Sequence, residues 1–498
     1  MSQDHVDVII VGAGLSGIGS AYHLQKNCPG KSYAILEGRN AIGGTWDIFR
    51  YPGIRSDSDM HTLGYKFKPW RGAKAIADGT SIREYVIETA DENCIREHIR
   101  FNSMVKAANW SSETATWTLE IENPETGERA TATCNFISMC AGYYSYKEGY
   151  TPEFKGIEDY KGLVVHPQKW PEDLDYAGKK VVVIGSGATA MTLVPSMADK
   201  AEHVTMVQRR STWVASRPAE DVLANRLRKY LPEKLAYAIT RFKNVTGQQM
   251  IYGQSRTNPD RVRKELLGLA KQELPSDYVD EHFTPDYNPW DERLCLIPDS
   301  DLFNAINKGD VSIVTNTIEG FTENGLELTG GEILEADIII TATGLNMVQL
   351  GEADISVDGT PVNFADTWSY KGMMYSGVPN LLTTFGYINA SWTLRADLMA
   401  EWTCRLLNHM SKVGKEIVTP TLRAEDADME QRDMILDFSP NYMKRTMHLL
   451  PKQGTREPWL NAQDYGIDKK MMRKAPIDDG ALVFSDAAQM AVAREAAE

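Results

Sequence analysis

Apolar residues along this chain fall into two kinds of stretch. Short dense runs read as buried parallel strands, and longer segments repeat leucine or alanine at helical spacing. Residues 6–11 form the first dense run, Ile18 to Asn27 has helical periodicity, and Tyr33 to Leu36 is a second run that ends at Glu37. Together they predict one β-α-β unit. Residues 38–70 are rich in Gly, Pro and aromatics with weak periodicity, the pattern of a long functional loop. Alternation over residues 104–121, through Trp110, Trp117, Leu119 and Ile121, ends in the turn Pro124-Glu125-Thr126-Gly127 and predicts a small antiparallel meander. Phe136 to Gly142 is a further apolar strand.

A linker with Tyr, Gly and Pro covers about 143–180, and the pattern then repeats. A second β-α-β unit starts at Lys180 and has Val204 to Gln208 as its second strand. From about 215 to 290, Leu223, Leu227, Leu231 and then Leu266, Leu267, Ala270 recur at helical spacing, which predicts a helical insertion. Strand patterns return at Val311 to Val314, Gly325 to Leu328 and Asp337 to Gly344. The pattern predicts an α/β protein with two Rossmann-like dinucleotide-binding domains and a helical insertion. The expected division gives 1–145 and 380–498 to a first nucleotide domain, 146–214 and 291–379 to a second, and 215–290 to the insertion. The tail is expected to pack on the first domain, because residues 1–142 alone leave no room for a whole flavin site.

Bulk properties narrow the function without naming it. A chain of 498 residues exceeds one ordinary core. With 42% hydrophobic and 24% charged residues and a net charge of -15, the composition is that of a soluble globular protein. The pI near 5.2 argues against nucleic acid or an anionic membrane as the main partner, because both need a basic surface. No apolar run approaches the roughly 20 residues needed to span a bilayer, so no integral membrane segment is expected. No secretory signal precedes the first strand, so a cytoplasmic location is expected. The six cysteines show no Cys-x-x-Cys pair. They are expected to be reduced core thiols, with no metal site.

The candidate chemistry lies at the two strand-to-helix junctions. Val11-Gly12-Ala13-Gly14-Leu15-Ser16-Gly17 and Ile184-Gly185-Ser186-Gly187-Ala188-Thr189-Ala190 both read Gly-x-Gly-x-x-Gly/Ala after a strand. Glycines let backbone amides at a helix N-terminus approach a pyrophosphate, so Gly12, Gly14, Gly17, Gly185, Gly187, Thr189 and Ala190 are candidate cofactor-binding positions. Glu37, at the end of the next strand, accepts from a free ribose 2′-hydroxyl and repels a 2′-phosphate, which suits FAD or NAD. The corresponding place in the second unit carries Arg209 and Arg210, which favour the 2′-phosphate of NADPH; either arginine could read it. FAD at the first site and NADPH at the second is the simplest assignment. Two redox nucleotides in one chain imply hydride transfer between them.

Two longer patterns carry a resemblance. Gly43-Gly44-Thr45-Trp46-Asp47 continues to Arg50-Tyr51-Pro52-Gly53-Ile54-Arg55-Ser56-Asp57. Tyr160-x-Gly162-x-x-x-His166-x-x-x-Trp170-Pro171 precedes the second fingerprint. Here the chain resembles the type I Baeyer–Villiger monooxygenases, with Tyr160 where Phe is usual. It looks closest to the subgroup of the mycobacterial ethionamide-activating monooxygenase. The resemblance implies NADPH reduction of FAD, uptake of O2 to give a C4a-peroxyflavin, and insertion of one oxygen atom into a ketone to give an ester or lactone. Oxidation of sulfides or thioamides is also implied. It points to Arg293 as the active-site cation, to Asp57 as the acid that orients it, and to the neighbouring Arg55. Gly44, Thr45, Trp46 and Tyr51 fall in the flavin-side pattern, where the two aromatics either wall the flavin or fill the core. Gly162, His166, Trp170 and Pro171 look like hinge residues. Three other readings stand beside this one: a flavin monooxygenase acting only on S or N, a flavin disulfide reductase, which would need a close cysteine pair, and a non-catalytic nucleotide-fold carrier. Substrate identity and oligomeric state are not legible.

Overall fold

The computed structural model describes residues 5–292, 294–436 and 440–487. Its first unit opens with β1 (His5–Val11), α1 (Leu15–Asn27) and β2 (Tyr33–Leu36), with β1 and β2 parallel in the register Val8↔Tyr33. The loop that follows holds two one-turn helices, α2 (Thr45–Ile48) and α3 (Met60–Leu63), and then α4 (Gly79–Glu92). Next come β3 (Ile99–Arg100) and the meander β4 (Met104–Ser111), β5 (Thr116–Glu122) and β6 (Arg129–Met139). β4, β5 and β6 pair antiparallel, and β6 then lies parallel to β1, so meander and Rossmann strands share one sheet. Ile9, Ile10, Ile35 and Ile137 are fully buried in it, as expected for strands covered on both faces.

Two segments from late in the chain complete that sheet. Leu381–Thr383 runs parallel to β6, and Asp354–Val357 runs parallel to β4. The second pairing moves 354–361 out of the group assigned by sequence to the second nucleotide unit. The alternation there is too short to reveal its partner, and Ile355 reaches burial only against the meander. Of the expected tail, α11 (Trp392–Val413) packs along α1. Its Leu394, Leu398, Trp402 and Leu406 recur every four residues and are almost wholly buried. Each such side chain contributes about 1.5–3 kcal/mol on burial.

The second unit is a five-stranded parallel sheet among the described residues. In chain order its pieces are β7 (Tyr144–Gly149), β8 (Leu163–Val165), β9 (Lys180–Ile184), α5 (Ala188–Met197), β10 (His203–Gln208) and β11 (Trp213–Arg217). After the helices come β12 (Leu294–Pro298), α10 (Asp301–Lys308) and β13 (Val311–Thr315). The sheet order is β13, β10, β9, Ile338–Thr341 and β8. The expected linker thus contributes β8 to the sheet itself. β7 pairs antiparallel with Leu345–Met347, so the two strands that connect the units are zipped together. The insertion consists of α6 (Val222–Tyr230), α7 (Glu233–Thr257), α8 (Pro259–Glu273) and α9 (Ser276–His282). No described helix is long and apolar enough to cross a membrane.

Candidate active site

Both glycine-rich turns are built around backbone contacts that a Cβ would prevent. Gly12 has φ +103, and a Cβ there would sit 2.6 Å from the Cys140 carbonyl oxygen. A Cβ on Gly17 would lie 1.8 Å from the carbonyl oxygen of Gly12. Gly185, at φ +123, would meet the Ala342 oxygen at 2.4 Å. The helices that follow share a second property. α1 is capped by Gly14 and α5 by Gly187, neither has a side-chain cap bond, and neither has an acid in its first turn. Their N-terminal amides are therefore left for an external anion. Among the described residues, no atom beyond its two chain neighbours lies within 4 Å of a Cβ built on Gly187. Ala190 is fully buried in the second unit's core, so it serves helix–sheet packing and not ligand contact.

Glu37 lines a cavity of about 610 Å³. Its Oε2 accepts from the Ala13 amide at 2.6 Å, and its Oε1 accepts from the Arg39 amide at 2.9 Å. Burial pushes its carboxyl up, while those amides pull it back. A second cavity, of about 280 Å³, is lined by Gly14, Gly44, Thr45, Trp46, Tyr51, Arg55, Asp57 and Thr189. It brings together candidates from both nucleotide fingerprints. The two cavities share Gly12, Ile48, Tyr144, Ser145, Tyr146 and Gln168, so they form one elongated cleft.

The loop between the cavities is held by a group that sequence reasoning missed. Asp47 is 1% exposed and meets three guanidinium groups: Arg39 at 2.7 Å, Arg50 at 2.7 Å and Arg83 at 2.9 Å. That buried hub fixes Gly43 and Gly44, whose φ values are +136 and +55. Gly44 then approaches Gly14 so closely that a Cβ on Gly44 would lie 3.1 Å from the Gly14 Cα. Arg39 and Arg50 lie in the loops on either side of α2 and Arg83 lies on α4, a spread that gives no local signal.

The remaining candidates divide plainly. Arg55 pairs with Asp301 at the start of α10 and so bridges the two units. Arg293 lies outside the described residues. Tyr51 lines the second cavity and also packs on Phe49 with ring centroids 6.0 Å apart, so pocket wall and core filler are one role here. Trp46 likewise lines the second cavity and packs on the first unit's core. His166 lies at the paired linkers. Its Nδ1 accepts from the Gln168 amide at 3.1 Å, which leaves Nε2 to donate to the Gly344 carbonyl at 3.1 Å. Burial holds this imidazole below its usual value, in the neutral form. A Cβ on Gly149 would fall 1.9 Å from the His166 ring, so ring and strand β7 are in direct contact. Gly162 is demanded by Tyr160, whose hydroxyl would lie 2.2 Å from a Cβ. Trp170 lines the first cavity and packs on the second unit's core. Pro171 makes no cavity contact and accepts from the Leu174 amide at 3.3 Å.

Arg209 and Arg210 differ. Arg210 pairs with Glu292 and with Asp286 at 3.5 Å, and its guanidinium stacks 4.6 Å from the centre of the Tyr287 ring. Arg209 is exposed and has no carboxylate partner among the described residues. Across the second cavity, the late segment adds Trp392. Its Nε1 donates to Ser16 Oγ at 2.8 Å, and its ring stacks on Tyr143 at 4.9 Å.

Residues 75–431 match the flavin-binding monooxygenase-like family, and residues 10–72 match an NAD(P)-binding Rossmann-like domain. The chain belongs to the flavin-binding monooxygenase-like family. It is 52% identical over 484 residues to the FAD-containing monooxygenase EthA of Mycobacterium tuberculosis, covering 97% of this chain and 98% of that protein. It is 47% identical to the probable FAD-binding monooxygenase AlmA of an Acinetobacter species, covering 97% of each. Among solved structures, an NADP-bound steroid monooxygenase superposes with a TM-score of 0.77 at 22% identity, over 97% of this chain and all (100%) of that one. Cyclohexanone monooxygenase bound to ε-caprolactone gives 0.75 at 19% identity, over 97% and 100%. These last two likenesses establish a shared fold.

Proposed function

We propose that the protein is an FAD-dependent, NADPH-consuming monooxygenase that inserts one oxygen atom from O2 into ketones, giving esters or lactones, and also oxidises sulfides or thioamides. The observation that carries the reading is the single cleft joining two uncapped, glycine-lined helix ends, in a chain 52% identical to an FAD-containing monooxygenase. The chain fits both nucleotides. The first cradle excludes any Cβ at Gly12 and Gly17 and offers Glu37 for ribose hydroxyls, the demands of FAD. The second offers the uncapped end of α5 and the exposed Arg209, the demands of a 2′-phosphorylated nicotinamide dinucleotide.

A bound FAD supplies hydride acceptance from NADPH and activation of O2. The protein's part is orientation, charge and exclusion of water. The α1 amides and Gly44 receive the flavin pyrophosphate, and the Asp47 hub keeps that loop shut. Trp46, Tyr51, Tyr143 and Trp392 give the second cavity an apolar aromatic wall, which keeps water from the reacting atoms. Arg55 and Asp57 line the same cavity and place fixed charge there. Arg293, by resemblance, adds the cation that stabilises negative oxygen. In this role an arginine keeps its proton throughout.

Product analysis tests the reading. Purified protein with NADPH and O2 is expected to convert a ketone panel to esters and a sulfide panel to sulfoxides. Sulfoxide without ester would move the assignment to an S- or N-oxygenase. An R293A variant is expected to reduce flavin with NADPH yet form no ester; ester formation by that variant would remove Arg293 from the mechanism.

A further inference from the structure

The helical insertion carries a row of large apolar side chains that the fold does not cover. α6 and α7 form an antiparallel hairpin turned at Leu231-Pro232. Lys243 Nζ donates to Asp221, the N-cap of α6, at 2.7 Å, and Asn244 Nδ2 reaches the same carboxylate at 3.3 Å. This tie holds α7, next to Phe242 in sequence, against the start of α6, where Val222 and Leu223 are exposed. The inner face of α7 is spent on the protein: Ala236, Tyr237, Thr240, Arg241 and Val245 are buried. Its outer face repeats Leu235, Ile239 and Phe242 at i, i+4 and i+7, with exposures of 49%, 40% and 75%. Tyr230 at the hairpin tip is 83% exposed. One exposed apolar residue needs no explanation, but an aligned row on a helix already apolar on its other side does.

The charge around this row is opposite to that of the chain. Residues 222–243 hold six cations and one acid, within a protein of net charge -15. The acid, Glu233, is bonded to Arg71. Arg226, Lys229 and Lys234 flank Tyr230 and Leu235, are exposed, and pair with no carboxylate among the described residues.

We infer that the α6–α7 hairpin docks the protein on an anionic lipid surface. An apolar row along a helix axis, an aromatic at the tip and unpaired cations beside both are the features of a helix lying in the headgroup boundary. A second copy of this chain seated symmetrically on the same face would bring these cations against their own counterparts, which opposes self-association. The docking helix also reaches the proposed active site. Through Asn244 and Gln248 it donates to both Asp59 oxygens, at 2.9 and 3.0 Å, and Asp59 caps α3, whose Leu63 lines the second cavity. The docking helix is therefore tied, through the cap of α3, to one wall of the cavity.

Flotation of the full-length flavin-loaded protein with lipid vesicles tests the inference. Vesicles of phosphatidylcholine containing about a third phosphatidylglycerol are expected to carry the protein upward, and pure phosphatidylcholine vesicles are not. Raised salt should weaken the association. Phe242→Asp and Lys229→Glu are each expected to lower the bound fraction by about tenfold. Both should leave NADPH oxidation in solution unchanged, which shows that the variants are folded and separates this test from that of the reaction. Equal binding to neutral and anionic vesicles, no binding at low salt, or undiminished binding by both variants would overturn it. So would a dimer in light scattering that Phe242→Asp dissolves while vesicle binding is absent.

Discussion

Arg210 already spends its charge on Glu292 and Asp286, and its planar face on Tyr287. Arg209 beside it has no carboxylate partner among the described residues, so Arg209 is the one we propose to read the 2′-phosphate. A charge-assisted contact of this kind is worth about 1.5–3 kcal/mol, or roughly ten- to a hundredfold. Arg209→Ala is expected to raise KM for NADPH by that factor and to leave KM for NADH near its starting value. Steady-state kinetics with both coenzymes decide it, and the reverse pattern in Arg210→Ala would transfer the role. Asp47 makes a different kind of residue-level claim. One buried carboxylate answers three guanidinium groups that are 27–39% exposed. Removing it leaves like charges facing each other at the mouth of the flavin loop. Asp47→Asn is expected to cost about 2–3 kcal/mol, below the full figure for a broken buried pair because the guanidinium groups keep contact with water. Urea unfolding measures that loss, and a fall in bound flavin should accompany it.

At the scale of elements, the uncapped helix end is a trade of stability for binding. Gly187 has φ -79, and among the described residues no atom beyond its chain neighbours stands within 4 Å of a Cβ built there, so an aspartate fits and caps α5. A cap of this type adds about 1 kcal/mol, yet it places a negative charge where we propose that the NADPH pyrophosphate binds. Gly187→Asp is therefore expected to raise the unfolding midpoint slightly, to keep flavin, and to raise KM for NADPH by at least about tenfold. Loss of flavin, or unchanged NADPH kinetics, would contradict the assignment of α5. These same elements were the most legible in the sequence. β1, β2 and β9 carry continuous apolar runs, β10 interleaves Val204, Met206 and Val207 with polar residues, and each fingerprint sits at a junction that its glycines require. The insertion was legible from leucine spacing, although β11 lies at its edge and pairs with β12 from beyond the helices. What escaped were the contacts made across the chain. Asp354–Val357 finds its partner in β4, roughly 250 positions away, and nothing in four residues announces that pairing. The Asp47 hub draws Arg83 from α4, and Trp392 reaches Ser16 across the whole first unit. Tertiary packing alone brings such residues together.

At the scale of the whole molecule, the two nucleotide units meet through β7 and Leu345–Met347, with the Arg55–Asp301 ion pair as a second link. The signature histidine sits on this joint. His166 bonds the Gly344 carbonyl on one connecting strand and presses its ring against Gly149 on the other. Burial lowers its proton affinity from an ordinary value of 6.5, and burial does the same at His61 and His282. The sign follows from linkage. Above about 6.5 both folded and unfolded chains leave these imidazoles neutral, so the histidines contribute no pH dependence. As pH falls below that value the unfolded chain takes up protons that the folded chain resists, and stability declines until the folded values are reached. The thermal midpoint is thus expected to be level from about pH 8 to 6.5 and to drop below it. Glu37 and Asp301, whose carboxyls burial pushes up, work in the opposite direction near their own range and soften the decline at lower pH. Replacing His166 by Asn removes one titrating group while stripping the joint of a ring. That variant is expected to unfold earlier at pH 8, to lose less on acidification, and to transfer hydride from NADPH to flavin more slowly with its flavin content unchanged. A parallel downward shift at every pH, with hydride transfer at the parent rate, would reduce His166 to a packing residue and leave the joint between the units without a part in the reaction.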